Sequence, residues 1–179
     1  MAALSATLLS GCAAQPDLSG FDNQPTTKST PTKFSGTDIM FAQMMIPHHQ
    51  QAVDMGTLAE SRAFSLEVKT LAAQIKSEQV PEIAQMNRWL KAANAPLQMD
   101  HSMVMAGLLT DADMKLLTEA SGVEFDRLFL EGMIGHHEGA IEMAQMVLDS
   151  NNSEAKALGD AIIASQTKQI EYMQQLLQK

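Results

Sequence analysis

From about residue 37 to the carboxyl terminus, large apolar residues return every three or four positions, and the strict alternation of a strand is absent. Leu71, Ile75, Ile83, Met86 and Leu90 keep helical spacing, as do Leu158, Ile162, Ile170, Met173 and Leu177. At 100° per residue, Phe41, Met45, His48, Ala52, Met55 and Ala59 share one face of a first helix, with His49 on its flank. The same arithmetic places Phe129, Met133, His136, Ala140 and Met143 on one face of a later helix. Thr37 or Asp38 is the expected cap of the first helix, Thr110 of a short helix ending near Gly122, and Ser153 of the last. Asn94-Ala95-Pro96 closes the second helix.

The pattern is also duplicated. Asp38–Met55 (DIMFAQMMIPHHQQAVDM) aligns with Asp126–Met143 (DRLFLEGMIGHHEGAIEM), pairing Phe41 with Phe129, Met45 with Met133, His48 with His136, His49 with His137 and Met55 with Met143. A second block pairs Leu71, Ile75, Gln79, Ile83, Met86 and Leu90 with Leu158, Ile162, Gln166, Ile170, Met173 and Leu177. Each half is therefore a helical hairpin. Two hairpins with one apolar face each bury those faces by packing together, which predicts an all-α, antiparallel four-helix bundle with a short helix in the connector.

Ahead of the bundle, residues 12–36 are rich in Ser, Thr, Pro, Gln and Gly and read as a tether. Residues 1–11 are apolar and run into Leu9-Ser10-Gly11-Cys12, the pattern of a lipoprotein signal whose lipidated residue is Cys12. These features predict an exported protein held at the periplasmic or cell-surface face of a membrane by lipid, with residues 37–179 as its folded domain. No apolar run of 18 or more residues follows Cys12. As the single cysteine, it leaves no internal disulfide or cysteine-based zinc site. A formal charge of −9, with no basic stripe to neutralise phosphates, argues against nucleic acid and mildly favours cations as partners.

Composition sharpens the chemistry: fourteen Met stand against six Phe, one Trp and one Tyr. All five histidines fall in three places, His48-His49, His136-His137 and His101. One histidine of each pair is expected to face the core, and the two-fold relation brings His48 near His136. Buried imidazoles are either hydrogen-bonded or ligated, so two readings stand: core histidines with Met45 and Met133 as filler, or a metal site. The repetition of the whole His-His constellation, with Met45 or Met133 one turn before and Met55 or Met143 after, favours metal. Gln79 and Gln166 interrupt the apolar stripes of the other two helices and are candidate partners of the histidines. Pro47 and Gly135, at equivalent places before the pairs, weaken a helix there.

A second signal is the connector, Met99-Asp100-His101-Ser102-Met103-Val104-Met105. Thioethers in a polar loop lack a packing role, and with His101 they form a set suited to Cu(I) and Ag(I). Candidate ligands there are Met99, His101, Met103 and Met105. Met86, Met114, Met146 and Met173 are expected in the core, and Asp54, Glu138 and Glu142 on solvated faces. The Glu-x-x-His pairs of di-iron bundles, HExxH, phosphate loops and the G-x-S-x-G elbow are all missing from the sequence, so no catalytic residue is assigned.

Together, MMIPHHQQAVDM, FLEGMIGHHEGAIEM and the IxxxQxxxIxxM stretches resemble the domain of unknown function 305 family over about residues 37–179. The resemblance implies a ferritin-like four-helix bundle, often exported, in which some members bind copper and assist copper tolerance. It implies His48, His49, His136, His137 and the adjoining Met44, Met45 and Met133 as ligands, with the MDHSM loop. The chain departs from the clearest matches in carrying a single MDHSM segment and no Met/His-rich tail. The expectation is a non-enzymatic copper-binding protein for Cu(I), with Cu(II) through the imidazoles and Ag(I) also accommodated. It would buffer or sequester the ion, or pass it to a copper-handling partner. The alternatives are a structural or partner-binding bundle and a metal-dependent oxidoreductase.

Overall fold

The computed structural model describes residues 34–98 and 105–179. Among the described residues five α-helices follow one another: α1 (Gly36–Arg62), α2 (Leu66–Ala92), α3 (Asp111–Glu119), α4 (Gly122–Ala144) and α5 (Ser153–Leu176), with a 3₁₀ turn at Gln145–Val147 after α4. The long helices α1, α2, α4 and α5 form the four-helix bundle that the duplication predicts. Hairpin α1–α2 and hairpin α4–α5 meet chiefly through α1 and α4. Among the described residues no helix is long and apolar enough to cross a membrane.

Local chemistry sets the helix starts, in two cases one or more residues away from the expected caps. Ser35 caps α1, its side chain accepting from Asp38 N while the Asp38 carboxylate accepts from Ser35 N, a reciprocal capping box. Thr37 thus lies inside the helix, and Asp38 serves as the third residue of the box. Thr110 caps α3 through the same arrangement with Asp113, as expected. Asn152, not Ser153, caps α5, because its carbonyl oxygen accepts from both Glu154 N and Ala155 N. Both α1 and α2 run unbroken through a proline, Pro47 and Pro81, each on an exposed face. Leu177, the counterpart of buried Leu90, is 39% exposed because α5 ends at Leu176.

The bundle core is divided. One apolar cluster gathers Phe41, Met44 and Met45 of α1 with Met86, Trp89 and Leu90 of α2, Met143 of α4 and Ile162 of α5. The other gathers Met55 of α1, Leu71 and Ile75 of α2, Phe125, Phe129 and Met133 of α4, and Met173 of α5. Met86 and Met173 are fully buried, while Met114 and Met146 lie partly buried against the clusters. Between the clusters, every long helix places polar residues inside: His48 and His49, Gln79, His136 and His137, Gln166 and Gln169 are all buried.

The two hairpins are tied at one end by Asp126, whose carboxylate accepts from Phe64 N (2.9 Å) and Ser65 N (2.8 Å) in the α1–α2 turn. Beside it Arg62 donates to Ala120 O (3.2 Å), and Ala63 pairs with Gly122 in an isolated bridge.

Candidate metal centre

The M-x-x-H-H segments of α1 and α4 supply the side chains of the candidate centre. On a helix, residues three and four apart share a face, so Met45 adjoins both His48 and His49, and Met133 adjoins both His136 and His137. The antiparallel packing of α1 on α4 brings the two His-His pairs to one level. The His48 and His136 rings meet with centroids 3.8 Å apart and planes at 39°, as their equivalence predicts. Within each pair the centroids lie 6.5 Å (His48–His49) and 6.2 Å (His136–His137) apart.

All four imidazoles have zero exposure. The flank position expected for His49, and by equivalence for His137, is corrected: α1 and α4 each pack against a hairpin partner as well as against one another, so the buried stripe is wide enough to take adjacent residues. Every ring makes one hydrogen bond, through Nε2. His48 pairs with Ala106 O (3.1 Å), His136 with His48 O (2.9 Å), His49 with a Glu82 carboxylate oxygen (2.8 Å) and His137 with Gln169 Oε1 (2.7 Å). All four Nδ1 atoms are buried without a hydrogen-bond partner.

The partner role expected of Gln79 and Gln166 falls instead to Glu82 and Gln169, one turn further along α2 and α5. Gln79 and Gln166 lie buried at the same level, with both polar atoms of Gln79 and Oε1 of Gln166 unpartnered. The signal for the true partners was present in the repeat, because Glu82 and Gln169 occupy equivalent positions exactly as Gln79 and Gln166 do. Asp54, Glu138 and Glu142 are solvent-exposed as expected.

Burial sets the electrostatics. It lowers the His48 pKa to about 3, reinforced by His49 and His137 and opposed by the bond to Ala106. Burial likewise holds His136 well below 6.5, with His48, His137 and His49 adding to the effect and the bond to the His48 carbonyl opposing it. Burial lowers His137 to about 4, against the bond to Gln169 Oε1 and with a further push from His49. These three rings are uncharged at neutral pH, the form that ligates metal.

Met44, Met45, Met55, Met133 and Met143 are buried on either side of the imidazole layer. Met55 and Met143, seven residues beyond His48 and His136, stand about 10 Å away along the helix axes by rise alone. Met105 is partly buried against the first cluster. Cys12, Met99, His101 and Met103, and the whole of the expected signal segment, lie outside the described residues. Among the described residues no three His, Cys, Asp or Glu side chains are grouped to hold a metal ion. The groups that stand together at this level are imidazole nitrogens and thioether sulfurs. That donor set suits a soft ion: neutral imidazoles with free Nδ1 atoms, and thioethers one turn away.

Fold and site together define a duplicated four-helix bundle with a histidine layer across its interior. The chain belongs to the DUF305 family: the model described as "Domain of unknown function (DUF305)" matches residues 38–177. Among solved structures, the chain is similar to the "putative secreted protein DUF305" of Streptomyces coelicolor, with 32% identity, a TM-score of 0.76, and coverage of 79% of this chain and 91% of that one. A DUF305 fragment from Deinococcus radiodurans is 28% identical with a TM-score of 0.75, covering 81% of this chain and 97% of the fragment. CopM in its Cu(I)-bound form is 34% identical with a TM-score of 0.68, covering 80% of this chain and 97% of CopM. No curated protein matches the chain.

Proposed function

We propose that this chain is a non-enzymatic, extracytoplasmic copper-binding protein that takes up Cu(I) foremost, accommodates Ag(I) with the same donors and Cu(II) through its imidazoles, and buffers, sequesters or transfers the ion. The observation that carries this reading is the layer of four buried imidazoles, each with an unpartnered Nδ1 atom, flanked on both sides by thioethers. Burying four basic nitrogens without partners costs stability, and an ion bound there would offset that cost. CopM, which shares the fold at 34% identity, has been captured with Cu(I), with Cu(II) and with silver. Export is supported by the secreted description of the Streptomyces relative and by the Leu9-Ser10-Gly11-Cys12 pattern, which would attach the protein to a membrane through lipid. Under this reading Met99, His101 and Met103 of the connector form a second, collecting set.

The satisfied Nε2 atoms favour a competing reading, a purely structural histidine layer in a partner-binding bundle. Competition of the reduced protein against a chromogenic Cu(I) chelator separates the two. Uptake by the wild type, reduced in a His48→Leu/His136→Leu double variant and partly reduced in a Met99→Ala/His101→Ala/Met103→Ala variant, is the expected result. A wild-type protein that leaves the chelator fully loaded eliminates the metal reading.

A further inference from the structure

The four Nε2 contacts share one property: the facing atom is an oxygen that accepts. For His48 and His136 it is a backbone carbonyl, which has no hydrogen to give. For His49 it is a carboxylate oxygen of Glu82. For His137 it is the Gln169 amide oxygen, and the orientation of that amide is set from behind, because Gln169 Nε2 donates to a Glu78 carboxylate oxygen at 2.9 Å. In all four rings, then, a hydrogen on Nε2 is satisfied, whereas one on Nδ1 would be a buried donor with no acceptor, at a cost of about 1–3 kcal/mol. The proton belongs on Nε2, and the lone pair is left on Nδ1.

We propose that Glu82 and the Gln169–Glu78 pair are positioning residues that reserve Nδ1 of His49 and His137 as the metal-binding atom. This deepens the copper-binding reading and rests on it. The two devices are related by the duplication yet differ in chemistry. His49 has a carboxylate directly behind it, while His137 has an amide that passes the contact on to a carboxylate. Both chains end on α2, and Glu78 and Glu82 line the cleft where α2 faces α5. An imidazole whose far N–H is held by a carboxylate is oriented and is the more basic ligand at its other nitrogen. His49 is therefore the stronger donor of the two.

Long-range ¹H–¹⁵N spectra of the histidines test this on the full chain, first without metal and then with Ag(I) as a diamagnetic probe. Four rings protonated at Nε2 are expected in the metal-free protein, with Ag(I) shifting Nδ1 and leaving Nε2 protonated. Glu82→Leu should give His49 a mixed tautomer and weaken Ag(I) and Cu(I) binding by about ten- to a hundredfold. Glu82→Gln, which keeps an accepting oxygen as Gln169 does for His137, should restore the tautomer and most of the affinity. Gln169→Leu makes the same test independently at His137, and the wild-type spectra need no variant at all. Protonation at Nδ1 in the metal-free protein, a metal shift at Nε2, or a Glu82→Leu protein with unchanged tautomer and affinity would each overturn the inference. Failure of the wild type to take up Ag(I) or Cu(I) would instead overturn the copper-binding reading, and the positioning role with it, even where the four tautomers are as assigned.

Discussion

An acid in the same place of two repeats can be put to different work. Asp38 and Asp126 are equivalent in the duplicated sequence. Asp38 closes the capping box of its own helix, whereas Asp126 reaches across to take two amides of the α1–α2 turn. Charge-assisted bonds to otherwise unpaired amides are worth more than a single cap, so Asp126→Ala should cost roughly 2–4 kcal/mol and Asp38→Ala about 1 kcal/mol. Urea unfolding of the two variants measures the difference; equal losses would show that the turn finds its partners elsewhere. Sequence periodicity separated such residues only in part. His48 and His136 were legible because each lies at the centre of an apolar face. His49 and His137 were not, since a single-face projection assumes one neighbour and these helices have two. Glu82 and Gln169 escaped because the amides one turn earlier interrupt the apolar stripe more visibly.

Helix α1 does more than line the core. Gln43 donates to Pro96 O (2.8 Å), the His48 ring bonds Ala106 O, and the Gln51 amide donates to Leu109 O (3.0 Å) while its oxygen accepts from Leu109 N (2.8 Å). The described part of the connector is thereby pinned against α1 at three heights. It also presses on α4, where Gly107, at φ +79°, lies against Gly135 O and the Gly139 backbone. A side chain on Gly139 would come within 2.0 Å of Ala106 O, whereas one on Gly135 would meet nothing within 4 Å. Gly135→Ala should therefore stabilise the protein by about 0.5–1 kcal/mol through helix propensity. Gly139→Ala should destabilise it by about 1–3 kcal/mol and displace the connector from His48. Thermal melts of the pair decide it, and a matching gain in both variants would refute the close approach. The sequence showed the connector's short helix, but nothing in its local pattern marks a loop that folds back onto an imidazole, a contact made across 58 residues.

At the scale of the molecule, duplication made the architecture readable: two copies of one hairpin leave few ways to hide two apolar faces. The division of the core was less visible, because its polar layer takes contributions from four separate helices. That layer has a pH signature. In the unfolded chain His48, His136 and His137 titrate near 6.5, while in the folded chain burial holds them lower, at about 3 for His48 and about 4 for His137. The unfolded state then binds more protons below pH 6.5, so the stability these rings permit is fully present above 6.5 and is lost as pH falls toward 4 and 3. Each ring contributes a loss on the order of 1 kcal/mol per pH unit. The urea midpoint of the metal-free protein should fall markedly between pH 7 and pH 5, and His136→Leu should flatten the slope. A midpoint indifferent to pH over that interval would mean the rings are hydrated in solution.

The alternation of sulfur-rich, imidazole and sulfur-rich zones also works as an axial index. Were any long helix to slide by one turn, amides and imidazoles would be forced among phenyl rings and thioethers, and methionines would be driven into the hydrogen-bonded band. A uniformly greasy interior imposes no such penalty. The bundle therefore has one favoured vertical alignment, assembled before any ion arrives, and shortening or lengthening a helix by four residues on one side of the band should scramble it far more than the same change at a helix tip.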